Sequence, residues 1–256
     1  MADRTSVRYC WSVRAEATVE GLGHLAGLAG RARPVVLAED RLLPVPAPLA
    51  LLLPGGGLRR GTTVVVERGV SLLLALLAGP TSAGQWGAVV GLPDLGLAAA
   101  HEAGVDLARL ALVPAPGEQW AAVTAALIDA LDVIAVQPPP QFRPGDARRL
   151  VARARERGAV LVPIGSWIEG AEVRLRVETG EWRGLANGSG HLQSRVVDVL
   201  ATGRGAAARG QRLSCWLPGS GGHMEMLQRD RPAVPVPVAV PVSVPVAPVV
   251  EWAGVG

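Results

Sequence analysis

The stretch "GTTVVVERGVSLLLALLAG", Gly61 to Gly79, decides the fold. A β-branched run ends in a tight charged turn, and a wholly apolar helix-forming segment follows at once. In nucleotide-binding α/β proteins this is where a phosphate-cradling loop sits. Downstream, strand and helix patterns alternate. "WGAVVGL", "LALVP", "DVIAVQ" and "AVLVPIG" are strand-like, and helix patterns fall at Ser71–Ala78, Leu95–Ala103, Glu118–Ala130 and Asp146–Arg157. Continuous Val/Ile/Leu strands between helices predict a parallel sheet covered on both faces. Beyond Gly170, "AEVRLRVETGEW", "SRVVDVLATG" and the shorter "QRLSCWLPG" alternate with period two and predict antiparallel strands that extend the sheet edge.

The flanks have a different texture. Residues 11 to 30 suit a small-residue-rich helix and Pro34–Ala38 a short strand. "LLPVPAPLALLLPGGGLRRG", broken by proline and glycine, reads as a connecting segment. The C-terminal "RPAVPVPVAVPVSVPVAPVVEWAGVG" has too many prolines for a helix or a central strand. Polyproline II is expected there, at about 3.1 Å per residue, with Trp252 a candidate aromatic anchor for a partner. Three regions follow: residues 1–50, a core at 51–219, and a Pro/Val-rich tail at 220–256.

Composition excludes several classes. Hydrophobic residues make up 49% of the 256, enough for a sizeable core. All basic residues are arginine, and a net charge of +3 is too small to indicate a nucleic-acid partner by itself. The first twenty residues mix charges of both signs without an apolar core, so no signal peptide is expected. No apolar run approaches the ~20 residues that cross a bilayer, and a cytoplasmic setting without membrane contact is expected. Cys10 and Cys215 are too few for a disulfide framework or a zinc site, and the four histidines lack ligand spacing, so no metal is expected.

The order of elements and several strings resemble RecA recombinases. "HEAGVDLARLALVPAPGEQWAAVTAALIDALDVIAV", "DARRLVARARERGAVLVPIG" and the later alternating strands fall in the RecA order between Leu51 and Gly219. The chain is most similar to the ImuA-type RecA-like proteins of actinobacteria, through "LLPGGGLRRGTTVVV", "VVGLPDLGLAAAHEAGVDLARLALVP" and "ATGRGAAARG". The resemblance implies an α/β fold: a RecA-like core with a mainly parallel sheet flanked by helices, and antiparallel strands added at the C-terminal edge. It also implies a role in DNA-damage-induced (SOS) mutagenic translesion synthesis. There such proteins act beside a catalytically inactive Y-family-like polymerase relative and an error-prone replicative-type polymerase, with RecA itself a further candidate partner.

Against that resemblance the nucleotide site is degenerate. A working loop needs G-x-x-x-x-G-K-[ST], whose lysine neutralises phosphate and whose hydroxyl holds magnesium. Here Glu67-Arg68-Gly69-Val70-Ser71 has one glycine and is too short to wrap a triphosphate, and the chain contains no lysine. Gln137 stands where the resemblance implies a magnesium-site aspartate, and it brings no charge. Leu92 or Pro93 stands at the position of the RecA catalytic glutamate, with Asp94 displaced from it. The reading is a non-enzyme without cofactor. Ser71 could still cap the following helix, and Arg68 beside it offers at most a weak anion contact.

The loops that grip DNA in RecA correspond to "QPPPQFRPGD" and "SWIEGA", which are short and poor in basic residues. Candidate contacts for DNA phosphate or an acidic partner are Arg148, Arg149, Arg153 and Arg157, the last three spaced four apart on one helix face. Arg204, Arg209 and Arg212 form a second basic stretch. Trp86, Trp120 and Trp167 read as packing residues. The leading expectation is a non-catalytic RecA-like adaptor that binds polymerase-associated proteins. The alternatives are a nucleotide-responsive DNA-binding protein of the RecA class and a cell-division inhibitor.

Overall fold

The computed structural model describes residues 42–186, 189–203 and 210–227. The helix and strand expected before residue 41, the Pro/Val-rich tail with Trp252, and Arg204 and Arg209 lie outside the described residues.

The chain runs through β1 (Leu42–Leu43), α1 (Ala47–Leu52), β2 (Leu58–Arg59), β3 (Val64–Arg68), α2 (Val70–Ser82), β4 (Gly87–Val90) and α3 (Leu97–Glu102). It continues through β5 (Leu110–Val113), α4 (Trp120–Ala130), β6 (Val133–Val136), α5 (Pro144–Arg157) and β7 (Val160–Pro163). The last strands are β8 (Val173–Ala186), β9 (Ser189–Gly203), β10 (Gln211–Trp216) and β11 (Glu225–Met226). Strands β5-β4-β6-β7 form a wholly parallel sheet. Strand β3 lies beside β7 through parallel bridges at Thr63–Leu161 and Val66–Ile164, and so links that sheet to β8. From β8 outward, β9, β10 and β11 are antiparallel. This is the expected α/β class, a RecA-like core with antiparallel strands at one edge.

Alternation along the strands sorts side chains into two cores. Val64, Val66, Val89, Val133 and Val160 point to the face covered by α1 and α2. Val65, Ala88, Val90, Ile134 and Leu161 point to the face covered by α4 and α5. Strands β4, β6 and β7 are buried throughout, which is why their sequences are apolar at every position. Helix α2 is buried from Leu72 to Ala78 because the sheet lies on one side and the segment before β2 on the other.

Two expectations are corrected here. The stretch from Leu42 to Gly61 is more than a connection, since it holds α1 and the β1–β2 ladder and places Leu49 and Leu58 in the core. Strand β8 is antiparallel to β9 but parallel to β3, because period-two alternation fixes which face is buried and not the direction of the neighbour. The core also takes in Leu43 before residue 51 and Met224 after Gly219.

Candidate functional site

At the carboxyl end of β3 the whole strand-to-helix turn is one residue. Gly69, with φ 101° and ψ 102°, joins Arg68, the last residue of β3, to Val70, the first of α2. The N–H groups of Leu72 and Leu73 donate to the Gly69 carbonyl at 3.1 and 3.3 Å, so the helix begins immediately. A Cβ at Gly69 would meet Val177 of β8 at 3.4 Å, so the turn packs beside an apolar side chain. Glu67 faces Arg174 and Arg176 of β8, both at 4.0 Å, so its charge is balanced by the neighbouring strand. The expected cap by Ser71 is corrected. Gly69 is the cap residue, no side chain accepts from the helix N–H groups, and Ser71 already lies within the first turn.

Gln137 is exposed just after β6, and its N–H donates to Val90 of β4 at 2.9 Å. Helix α3 leaves β4 toward β5 while α5 leaves β6 toward β7. The sheet therefore reverses its winding between β4 and β6, the point where open α/β sheets take ligands. Here the chains touch beyond the strands: Gly91 lies so close that a Cβ would run into the Gln137 carbonyl oxygen. Asp94 is exposed in the turn after Gly91. The loop after Gln137 is fastened back onto the helix layer by Phe142, which stacks on Trp167 at 5.5 Å and meets Trp120 edge-on at 5.6 Å. Trp120 and Trp167 are thus packing residues, while Trp86 is 46% exposed.

The arginine stripe on α5 is engaged internally. Arg153 and Arg157 both bond Asp129 of α4, Arg148 pairs with Glu169 at 3.1 Å, and Arg149 approaches Asp146 at 3.9 Å. The Arg153 hydrogen bond, with the charges of Arg153 and Arg157, holds the Asp129 carboxyl below the usual carboxylate range against the opposing effect of burial. A groove of about 400 Å³ runs between α4 and α5 over Ala121, Ala125 and Leu150, with Arg149 and Arg153 among its lining. Arg212 on β10 is paired with Glu178 of β8. Spacing put the α5 arginines on one face, but Asp129 and Glu169 lie outside that helix and carried no local signal. Cys215 is fully buried, and burial followed by the Asp198 charge pushes its thiol up to about 12, so it offers no nucleophile.

Asp129 supplies a quantitative test of this pairing. Asp129→Asn is expected to lower stability by about 0.5–1 kcal/mol, because the partner arginines are partly exposed. A carboxyl with a depressed folded pKa stabilises the fold above its unfolded pKa, and that contribution is lost as pH falls through the folded value. The variant should therefore fall behind the parent near neutrality in urea titrations and converge on it as pH falls through the folded pKa of Asp129.

The MT3502 N-terminal domain model matches residues 51–169, which contain the Gly69 turn, Gln137 and the α5 arginines. The chain is 40% identical over 147 residues to the uncharacterized protein Rv3395c of Mycobacterium tuberculosis (strain ATCC 25618 / H37Rv). That alignment spans 56% of this chain and 72% of the mycobacterial protein.

Proposed function

We propose, for a chain that belongs to the family of Rv3395c and the MT3502 N-terminal domain, that it is a non-catalytic adaptor of the ImuA type. In this reading it serves DNA-damage-induced mutagenic translesion synthesis in the cytoplasm. Its partners are a Y-family-like polymerase relative and an error-prone replicative-type polymerase. Among the described residues no helix is long and apolar enough to cross a membrane.

The one-residue turn at Gly69 carries the non-catalytic half of the proposal. Wrapping a triphosphate takes a run of backbone N–H groups around the anion, and here the helix starts before such a run exists. The pairing of Arg148, Arg153 and Arg157 with Glu169 and Asp129 supports the adaptor half. Guanidinium groups already bonded to carboxylates release few counterions from a DNA backbone, which favours a protein partner over a phosphate grip.

ATP turnover by the pure protein should stay at background with and without single-stranded DNA. DNA-stimulated hydrolysis that disappears in Asp94→Asn would overturn the proposal. The adaptor role is read by affinity purification after DNA damage, comparing the full chain with a form ending at Leu227, which keeps Met224 and β11. Both polymerase partners should copurify with the full chain, and their absence would sink this half.

A further inference from the structure

A second cleft lies at the opposite end of the sheet from the Gly69 turn. It has a volume of about 410 Å³ and sits between the β2–β3 turn, the last turns of α5 and the loop before β8. Its walls are drawn together by glycine. A Cβ on Gly170, at φ 61°, would stand 2.5 Å from Val151, and one on Gly61, at φ 78°, would stand 3.3 Å from the Arg155 carbonyl oxygen. Backbone bonds pin both loops: Gly61 N–H donates to Ala159 at 3.2 Å, and Glu172 N–H donates to Thr63 at 2.9 Å. Arg60 is braced at 2.8 Å by both Asp132 and Gln85.

Arg59 and Arg155 line the same cleft, and neither has an acidic partner among the described residues. That sets them apart from the arginines on the outer face of α5, which are paired. The acid in the lining is Glu172. Two guanidinium groups with no acidic partner among the described residues suit an oxyanion with several acceptor oxygens. A carboxylate beside them repels a bare anion but accepts from a hydroxyl, and the volume exceeds what one phosphate fills.

We propose that this cleft binds a small phosphate monoester bearing a hydroxyl group, with Arg59 and Arg155 on the phosphate and Glu172 accepting from the hydroxyl. The site is independent of the adaptor role, and its success or failure leaves that reading untouched.

The test is calorimetric titration of the full chain at low ionic strength with ribose 5-phosphate, inorganic phosphate and ribose. Ribose 5-phosphate should bind more tightly than phosphate, and ribose should give no heat. Arg59→Ala and Arg155→Ala should each weaken binding about tenfold or more. Both side chains belong to exposed residues, so the thermal unfolding of the free protein should not move. Glu172→Ala should erase the preference for ribose 5-phosphate over phosphate. Absence of binding up to about 10 mM, or binding indifferent to both arginine variants, would overturn the proposal. So would equal affinity for ribose and its phosphate.

Discussion

Trp167→Ala is expected to lower the stability of the protein by about 3–5 kcal/mol, because it removes the largest of the fully buried side chains among the described residues. Trp167 is 1% exposed although it sits in the loop after β7. Its ring stacks on Phe142 from the loop after β6, and Phe142 meets Trp120 at the start of α4. Its Nε1–H donates to the Glu169 carbonyl at 2.7 Å. Truncation would open a cavity under both loops and leave that carbonyl without its donor. Trp167→Phe keeps the ring contact and gives up the hydrogen bond, so a loss of about 1–2 kcal/mol is expected for it. Urea unfolding followed by far-ultraviolet circular dichroism measures both. A loss below about 1 kcal/mol for the alanine variant would mean that the three rings do not form one packed unit.

That cluster also bears on function. The loops after β6 and β7 are the ones the RecA resemblance assigns to gripping DNA. Here one is anchored through Phe142 and the other through Trp167, and the two anchors stack on each other. Ring packing sets their conformation, and the first loop's prolines reinforce it. Loops held in this way are poor at wrapping a flexible strand but well suited to presenting a fixed surface. Ile168 stands on that surface at 85% exposure, immediately beside the buried Trp167.

What could be read from the sequence followed the range of the interactions. Alternating apolar strands and helices gave the parallel sheet, since each strand's burial on both faces is written in its own residues, as in "VIAV". The single glycine at position 69 likewise gave the short turn, because loop length is a local quantity. The roles of the arginines were not legible. Asp129 lies 24 residues from Arg153 and 28 from Arg157, and nothing in their spacing names that partner. The cleft beside Arg59 was hidden for the same reason, since the β2–β3 turn, α5 and the loop before β8 meet only in the fold. Ser71 misled because a serine near a helix start is a common cap, whereas here the glycine before it had already taken the position.

Gly79, the last residue of the stretch that decides the fold, is where a propensity argument and a packing argument give opposite signs. It lies inside α2, where alanine is ordinarily worth about 1 kcal/mol more than glycine. Yet a Cβ at Gly79 would run into the Pro44 carbonyl oxygen and stand 2.7 Å from the Pro44 carbonyl carbon and 2.9 Å from Val45 Cα. These are backbone atoms of the segment that carries α1 onto α2, and they cannot rotate away as a flexible side chain would. Gly79→Ala is therefore expected to destabilise by about 1–3 kcal/mol, by pushing that segment off the helix. Gly145→Ala is the matched control. Gly145 lies in α5 with nothing within 4 Å of its would-be Cβ, so the same substitution should be neutral or stabilise by up to about 1 kcal/mol. Urea midpoints that move in opposite directions for the two variants would locate the docking of residues 44–53 on α2. A Gly79→Ala variant as stable as the parent would mean that this segment can leave the helix at no cost.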